Sequence, residues 1–419
     1  MAVTHPRGLY VLFFSEMWER FSFYGMRALL VLYLVNALDY PRADALQVYA
    51  TYTGLIYLTP VLGGLIADRW LGPERAVVAG GAVMALGHFA MALPGLLYPA
   101  MGLLIVGSGL FKPNISVLVG SLYEEGDARR DSGFTIFYMG INLGAFLAPL
   151  VCGTLGQKVG WHYGFAAAGV GMVTGLTVFL TSWKRSAGKA LRSTPAPAER
   201  SRAPLARQEV HRIIAIFVML VFVVFFWMGF EQAGGTMNLF ADQRTERHVF
   251  GWEIPASYFQ AVNPLFILLL APLFSMLWIR LDRSRWAISV VAKQGLGMII
   301  LGVGFVVLAI ADQQADLIGK VSAWWLVAAY FLHTAGELCL SPIGLSMVTK
   351  LAPVRVASLM MGAWFTAMAI ANYLAGSIEG LLAGTGWPLY WFLVGTSVGA
   401  GIMLLVLSPL IRRLMHGIR

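Results

Sequence analysis

Residues 9–38 read LYVLFFSEMWERFSFYGMRALLVLYLVNAL. At 1.5 Å per residue a helix needs about 20 residues to cross a bilayer core, so this stretch is long enough to span. It nevertheless holds Glu16, Glu19, Arg20 and Arg27. Glu16, Arg20, Tyr24 and Arg27 recur at i, i+4, i+8 and i+11, which places them on one helical face with Glu19 beside them. The apolar region of a signal peptide would not hold three charges, so the stretch reads as a retained first helix.

Eleven further apolar segments follow, at about 47–70, 75–94, 98–120, 132–155, 161–183, 213–240, 255–280, 287–311, 322–350, 354–382 and 387–411. Hydrophobic residues make up 58% of the 419, about the 240 that twelve spans of roughly 20 require. Charged residues are only 12%, about half the share of a soluble domain, which excludes a large soluble enzyme and a disordered chain. Two cysteines, Cys152 and Cys339, both in apolar segments, exclude a disulfide scaffold. The expected fold class is an all-α membrane protein. It comprises an N-terminal six-helix half over 1–183, a basic linker over 184–212 and a C-terminal six-helix half over 213–419, the layout of a secondary transporter.

Net charge +9 invites a nucleic-acid reading, but Lys and Arg also collect on cytoplasmic loops. Loops assigned alternately from a cytoplasmic N-terminus place 21 of the 30 Lys and Arg inside. Only Arg42, Lys158, Arg244, Arg247 and Lys320 fall outside. This bias predicts a multi-pass protein of the cell membrane with both termini cytoplasmic and no nucleic-acid partner.

Eight ionisable residues lie inside expected spans: Glu16, Glu19, Arg20, Arg27, Lys112, Glu231, Lys293 and Glu337. Each costs about 2.5–3.5 kcal/mol at mid-bilayer, which marks a functional site. Lys293 lies near a helix end and can snorkel, and Glu379 is close to an outer boundary. The first half carries a surplus positive charge, whereas Glu231 and Glu337 in the second have no basic partner of their own. Acids of one half are therefore expected to face bases of the other, as in Lys112–Glu337 or Arg27–Glu231, around a cavity for a ligand with an anionic and a cationic end. Lys112-Pro113-Asn114, Asn263-Pro264 and Ser341-Pro342 each set a polar side chain beside a mid-span proline, which is tolerated where freed backbone groups are buried in protein or line a cavity. Arg42 is expected to pair at the outside with Asp242 or Glu246.

These residues also carry a family resemblance. Glu16-Met-Trp-Glu19-Arg20-Phe21-Ser-Phe23-Tyr24-Gly25 resembles the ExxERFxYYG motif of the proton-dependent oligopeptide transporters, a branch of the major facilitator superfamily. Gly107 to Asn114 is similar to their GTGxxKPN motif, and Phe137 to Gly144 to their FYxxINxG motif. Gly63 to Arg69 matches the superfamily loop between the second and third helices, and Phe230-Glu231-Gln232, Asn263-Pro264 and Glu337 to Pro342 also fit.

The resemblance implies proton-coupled uptake of di- and tripeptides by alternating access in a functional monomer, with protons as the coupling ion and neither cofactor nor metal. It assigns the peptide carboxylate to Arg20 and Lys112 and the amino terminus to Glu337. Asn142 and Asn263 would bond the peptide backbone, and Tyr24, Tyr57, Trp227 and Trp364 would line side-chain pockets. Ser341 joins this substrate-binding set. Glu16, Glu19 and Glu231 would take part in proton coupling, with Arg27 the partner of Glu231. The sequence departs from the pattern in having Phe23 for the motif's first tyrosine and Ser108 for its threonine. The linker is too short and polar for the extra helical hairpin of many bacterial members, and the second helix lacks the histidine of animal members.

Three weaker signals point elsewhere. Gly107 to Lys112 echoes a phosphate loop without its strand context or spacing. His333 and Glu337 share a face but have no second histidine at metal spacing. No hydrolase nucleophile motif occurs, so no enzyme activity is expected. The alternatives to peptide symport are a carrier of another small solute, such as nitrate or a peptide-like compound, and a membrane sensor that does not transport.

Overall fold

The computed structural model describes residues 4–124, 127, 129–186, 206–284, 287–353 and 356–417, with side chains at all of these except 341–347, 349 and 358. Most of the linker 184–212 lies outside them.

Twelve long helices occur among the described residues: α1 (Arg7–Asn36), α2 (Arg42–Ile66), α3 (Pro73–Met91), α4 (Leu97–Ser121), α5 (Arg130–Thr154), α6 (Trp161–Ser186), α7 (Arg207–Phe230), α9 (Val262–Asp282), α10 (Val290–Ile318), α11 (Trp324–Leu351), α12 (Ala357–Leu382) and α13 (Leu389–Leu414). A short helix, α8 (Thr236–Gln243), continues α7 beyond a break. Nine of the segments are long and apolar enough to cross a membrane. Of the other three, α1 holds Glu16, Glu19, Arg20 and Arg27, α3 holds Glu74, Arg75 and His88, and α11 is described with its side chains over only part of its length. An all-helical membrane fold is thus what the apolar periods specify, and in α1 and α3 charge, not length, lowers the apolar character.

Helix ends run past the apolar segments wherever water satisfies polar side chains. α2 begins at Arg42, five residues before its apolar stretch, and α10 continues to Ile318 through Asp312 and Asp316. The span expected as continuous over 213–240 is interrupted. Glu231–Gly234 form a 3-10 turn between α7 and α8, where Gly234-Gly235 weakens the helical register.

The chain forms two compact units. One contains Met1–Asp39, Leu55–Pro197 and Ile254–Leu265; the other contains Tyr40–Gly54, Ala198–Glu253 and Phe266–Arg419. In the first, α1 packs along α5 and α6, and α3 along α4. The lead into α9 belongs here, tied to α5 by Tyr258 Oη and Thr154 Oγ1 at 2.7 Å, with the Ser257 N–H donating to Gln157 Oε1 at 3.0 Å. In the second unit, α10 packs on α11 and α13, and α7 on α12. The first turns of α2 belong to this unit, and there a Cβ on Gly376 would lie 2.6 Å from the carbonyl oxygen of Leu46.

Lys293 is held by an ion pair, its Nζ 3.0 Å from Asp282 Oδ1 and 4.6 Å from the Trp278 ring centre. A Lys293 stem buried beside Trp278 with its ammonium led to a carboxylate at the helix end is snorkelling given a fixed partner. Arg42 does not meet Asp242 or Glu246. Both carboxylates are taken by nearer bases, Asp242 by Arg247 at 3.3 Å and Glu246 by His248 at 2.8 Å. Arg42 instead pairs with Glu379 of α12 and donates to Gln243 Oε1 at 3.0 Å.

Candidate functional site

In the first unit the charged face of α1 is buried, with Glu16, Glu19, Arg20 and Arg27 all at most 8% exposed. Arg20 Nε lies 3.0 Å from Glu16 Oε1, one turn back, and the adjacent Glu19 carboxylate reaches the same nitrogen. Two carboxylates therefore share one guanidinium, and the trio carries one negative charge in excess when both are ionised. A buried group of this kind persists only when charges are matched closely by partners.

Lys112 comes from α4, where Pro113 denies the helix one backbone N–H. Its ammonium sits 4.5 Å from the Phe23 ring centre and 4.6 Å from that of Tyr57, between two aromatic faces. Phe23 lacks the hydroxyl of the family motif, yet its ring takes the cation. In the sequence Phe23 stands out only as a departure from the motif, and its place one helical turn from Glu19 on α1 is the signal that joins it to the site. The guanidinium of Arg20 is 5.4 Å from the same ring, and that of Arg27 is 5.7 Å from the Tyr24 ring.

The carbonyl of Gly109, the acceptor that Pro113 cannot serve, faces Gly63 of α2 so closely that a Cβ on Gly63 would lie 1.9 Å from its oxygen. Asn114 Nδ2 donates to the Leu110 carbonyl at 2.7 Å, which satisfies a second backbone group near the proline. Asn142, on α5 and 5% exposed, likewise spends Nδ2 on the Tyr138 carbonyl at 3.0 Å and leaves its Oδ1 as the acceptor end. Asn263 stands in the first turn of α9, half-buried, in this same unit. The unit thus gathers Glu16, Glu19, Arg20, Tyr24, Arg27, Tyr57, Lys112, Asn142 and Asn263.

The second unit holds Trp227, Glu231, Glu337, Ser341 and Trp364. Glu231 is 4% exposed and opens the 3-10 turn. The break is stitched by Gln232, whose Nε2 donates to the Ala375 carbonyl at 2.8 Å and whose Oε1 accepts from Thr236 Oγ1 at 2.7 Å. Sequence reasoning missed Gln232 as the residue that holds this turn. A discontinuous helix is the element from which transporters commonly build ion sites. Trp227 packs edge-on against Phe226 and Phe230, and its buried Nε1–H has no hydrogen-bond partner among the described residues. Glu337 is 6% exposed within α11, and Trp364 is half-buried on α12. The Ser341 side chain lies outside the described residues. His333 packs 4.6 Å from Phe305, and no group of three His, Cys, Asp or Glu able to hold a metal occurs among the described residues.

The family model described as the POT family matches residues 74–206 and 201–386. The uncharacterized transporter YclF of Bacillus subtilis is 38% identical over 474 aligned positions, covering 99% of this chain and 96% of that protein. The peptide transporter YePEPT of Yersinia enterocolitica is 37% identical, with 98% and 96% covered. A crystal structure of a peptide transporter POT in complex with sulfate superposes with a TM-score of 0.89 at 36% identity, over 100% of this chain and 97% of that one. With a family model and full-length relatives agreeing, the chain belongs to the POT family.

Proposed function

We propose that this chain carries di- and tripeptides into the cell together with protons, by alternating access. The observation that carries this reading is the chemistry that each unit holds by itself. One offers guanidinium and ammonium groups at Arg20 and Lys112; the other offers the buried carboxylate of Glu337. A zwitterion needs both kinds of group. Similar proteins of Lactococcus lactis, 34% and 35% identical, are named di-/tripeptide transporters.

Peptide carboxylate binds Arg20 and Lys112, the amino terminus binds Glu337, and Asn142 and Asn263 bond the peptide backbone. Tyr24, Tyr57, Trp227, Ser341 and Trp364 bound the side chains, Trp227 with its indole N–H. Protons are held at the Glu16–Glu19–Arg20 trio, whose excess negative charge one proton neutralises, and at Glu231, with Arg27 its counter-ion. The protein works as a monomer in the cell membrane with both termini in the cytoplasm. Its halves are residues 1–183 and 213–419, joined by the linker 184–212, and it needs no cofactor or metal.

Uptake of dialanine into liposomes by the purified protein, with and without an inward proton gradient, tests the reading. Accumulation that requires the gradient supports it; equal uptake in both conditions defeats it. A second reading, transport of peptide-like compounds, is favoured by two solved relatives. One is a POT family transporter in complex with 5-aminolevulinic acid, 30% identical with a TM-score of 0.88. The other is a mutant of the peptide transporter POT in complex with alafosfalin, 36% identical with a TM-score of 0.89. Competition by either compound against dialanine separates the two readings.

A further inference from the structure

A groove of about 520 Å³ opens on the first unit between α5 and α6, outside the charged site. Its floor is α1, through Met17, Trp18 and Phe21. Gly144, Leu147, Val151 and Leu155 form one wall, and Tyr163, Ala167, Val170 and Thr174 line the other. Along the groove both wall helices press on α1 through glycine. A Cβ on Gly144 would lie 2.1 Å from the Met17 carbonyl oxygen, and one on Gly171 would lie 2.5 Å from Phe21 Cδ1. Of the two hydroxyls in its lining, that of Thr174 is spent on the Val170 carbonyl at 2.8 Å and that of Tyr163 stands at one end, so the interior between them is almost wholly apolar.

We propose that this groove is a binding site for one acyl chain of a membrane phospholipid. Three observations select that occupant. Both walls belong to segments apolar enough to cross a membrane, so the groove lies at hydrocarbon depth. Its dimensions match one leaflet: Gly144–Leu155 and Tyr163–Thr174 each cover eleven helical steps, about 16 Å at 1.5 Å each, and half of a roughly 30 Å core is about 15 Å. Its two ends also differ. The shallow end carries Tyr163 with the exposed Lys158 and His162 at the helix termini, groups that sit at headgroup level, whereas the lining at the deep end, Met17, Gly144 and Thr174, holds no charge. A lipid tail gains no hydrophobic energy by leaving other tails, so its retention comes from the close packing that a shaped groove provides. The floor is the stretch of α1 that bears Glu16, Glu19 and Arg20, so the bound chain braces the helix on the face beside them.

The full chain, purified from a bilayer of phosphatidylethanolamine and phosphatidylglycerol, is examined by native mass spectrometry. Wild type is expected to retain one phospholipid. Ala167→Phe, which fills the groove, should lose it, and Leu86→Phe, on an exposed position of α3, should keep it. A wild type stripped of all lipid, or an Ala167→Phe protein that keeps the same lipid, overturns the proposal. A second measurement avoids filling the groove. Bimane on Val170→Cys is selective because Cys152 and Cys339 are buried. At a few doxyl-phosphatidylcholine molecules per protein, its quenching should exceed that of bimane on Leu86→Cys at least twofold. Equal quenching at the two positions means that only bulk lipid touches the groove, and the proposal falls.

Discussion

Arg42 and Glu379 form a two-pronged ion pair, Nε to Oε1 at 2.5 Å and Nη2 to Oε2 at 3.0 Å, which fastens the first turn of α2 to α12. Both side chains are about a quarter to a third exposed, so the pair contributes no more than about 1 kcal/mol to stability. Its geometry matters more than its energy. Both ends of the pair lie in one compact unit, but under the proposed halves, residues 1–183 and 213–419, they fall on opposite sides of the alternating-access cycle and would have to part on each turn. Arg42→Cys with Glu379→Cys, joined by a short reducible bifunctional reagent, is therefore expected to stop dialanine uptake, and reductant should restore it. Unchanged uptake by the cross-linked protein would mean that this contact is not opened during transport.

The cradle of Phe23 and Tyr57 around Lys112 makes a different prediction, about the ligand. Lys112→Ala should weaken peptides with a free carboxylate more than their amides. A lost charge-assisted hydrogen bond of about 1.5–3 kcal/mol corresponds to roughly 10–100-fold in apparent affinity. Phe23→Leu removes one aromatic face and should cost about 1 kcal/mol, a several-fold effect in the same direction. Competition against labelled dialanine by each peptide and its amide reads both. Equal losses for acid and amide would remove Lys112 from the carboxylate end.

Glu231 is held at a helix break that Gln232 stitches in place, so its carboxylate can be altered without unmaking the turn. Glu231→Gln is expected to abolish gradient-driven accumulation at least tenfold while peptide counterflow continues at a rate near that of wild type. Gln232→Ala should slow both, because it releases the break itself. If accumulation survives in Glu231→Gln, proton coupling resides in the Glu16–Glu19–Arg20 trio alone.

Much of this was legible in the sequence, for reasons that particular residues make plain. Glu16, Arg20, Tyr24 and Arg27 share a face because helical spacing fixes it, and burial of charge in an apolar segment announces a site. The twelve helices follow from apolar runs alone. The partner of Arg42 was not legible: Asp242 and Glu246 are closer in the expected loops, but Arg247 and His248, local in sequence, claim them first. The 3-10 turn at Glu231 was hidden for a related reason. A break needs tertiary partners such as the Ala375 carbonyl, which no local pattern displays. The acyl groove was also invisible, since it arises from where Gly144 and Gly171 meet α1 and not from any motif.

Outside the membrane, Asp127 and Arg129 illustrate a pH dependence whose sign can be worked out. Side-chain and backbone hydrogen bonds from Arg129 hold the Asp127 carboxyl down at about 2. Arg129 Nη1 also donates to the Thr4 carbonyl at 3.0 Å, tying the N-terminal arm to this loop. A depressed carboxylate lends its support above the unfolded value near 3.9 and loses it as pH falls through about 2. Deuterium uptake in residues 4–9 should therefore be protected evenly from pH 5 to 8, once corrected for intrinsic exchange. Asp127→Asn should raise uptake there across that whole range. Equal uptake in wild type and Asp127→Asn would mean that this loop does not hold the N-terminal arm.

The approach of Gly63 to the Gly109 carbonyl gives the sharpest test of packing, because its neighbour is a built-in control. A Cβ at Gly63 would fall 1.9 Å from that oxygen, and backbone on both sides leaves no flexible end to yield. At Gly64 a Cβ meets nothing within 4 Å. Gly63→Ala must push α2 away from α4 and so displace Lys112 and its aromatic cradle. Overpacking of this kind costs about 1–3 kcal/mol, and the helix register at Pro113 offers no slack. Thermal unfolding in detergent should show Gly63→Ala several degrees below wild type, with weaker binding of free-carboxylate peptides. Gly64→Ala should match wild type or exceed it slightly, because alanine favours the helix over glycine by up to about 1 kcal/mol. Equal behaviour of the two variants would show that α2 and α4 do not meet as closely as the freed Gly109 carbonyl allows.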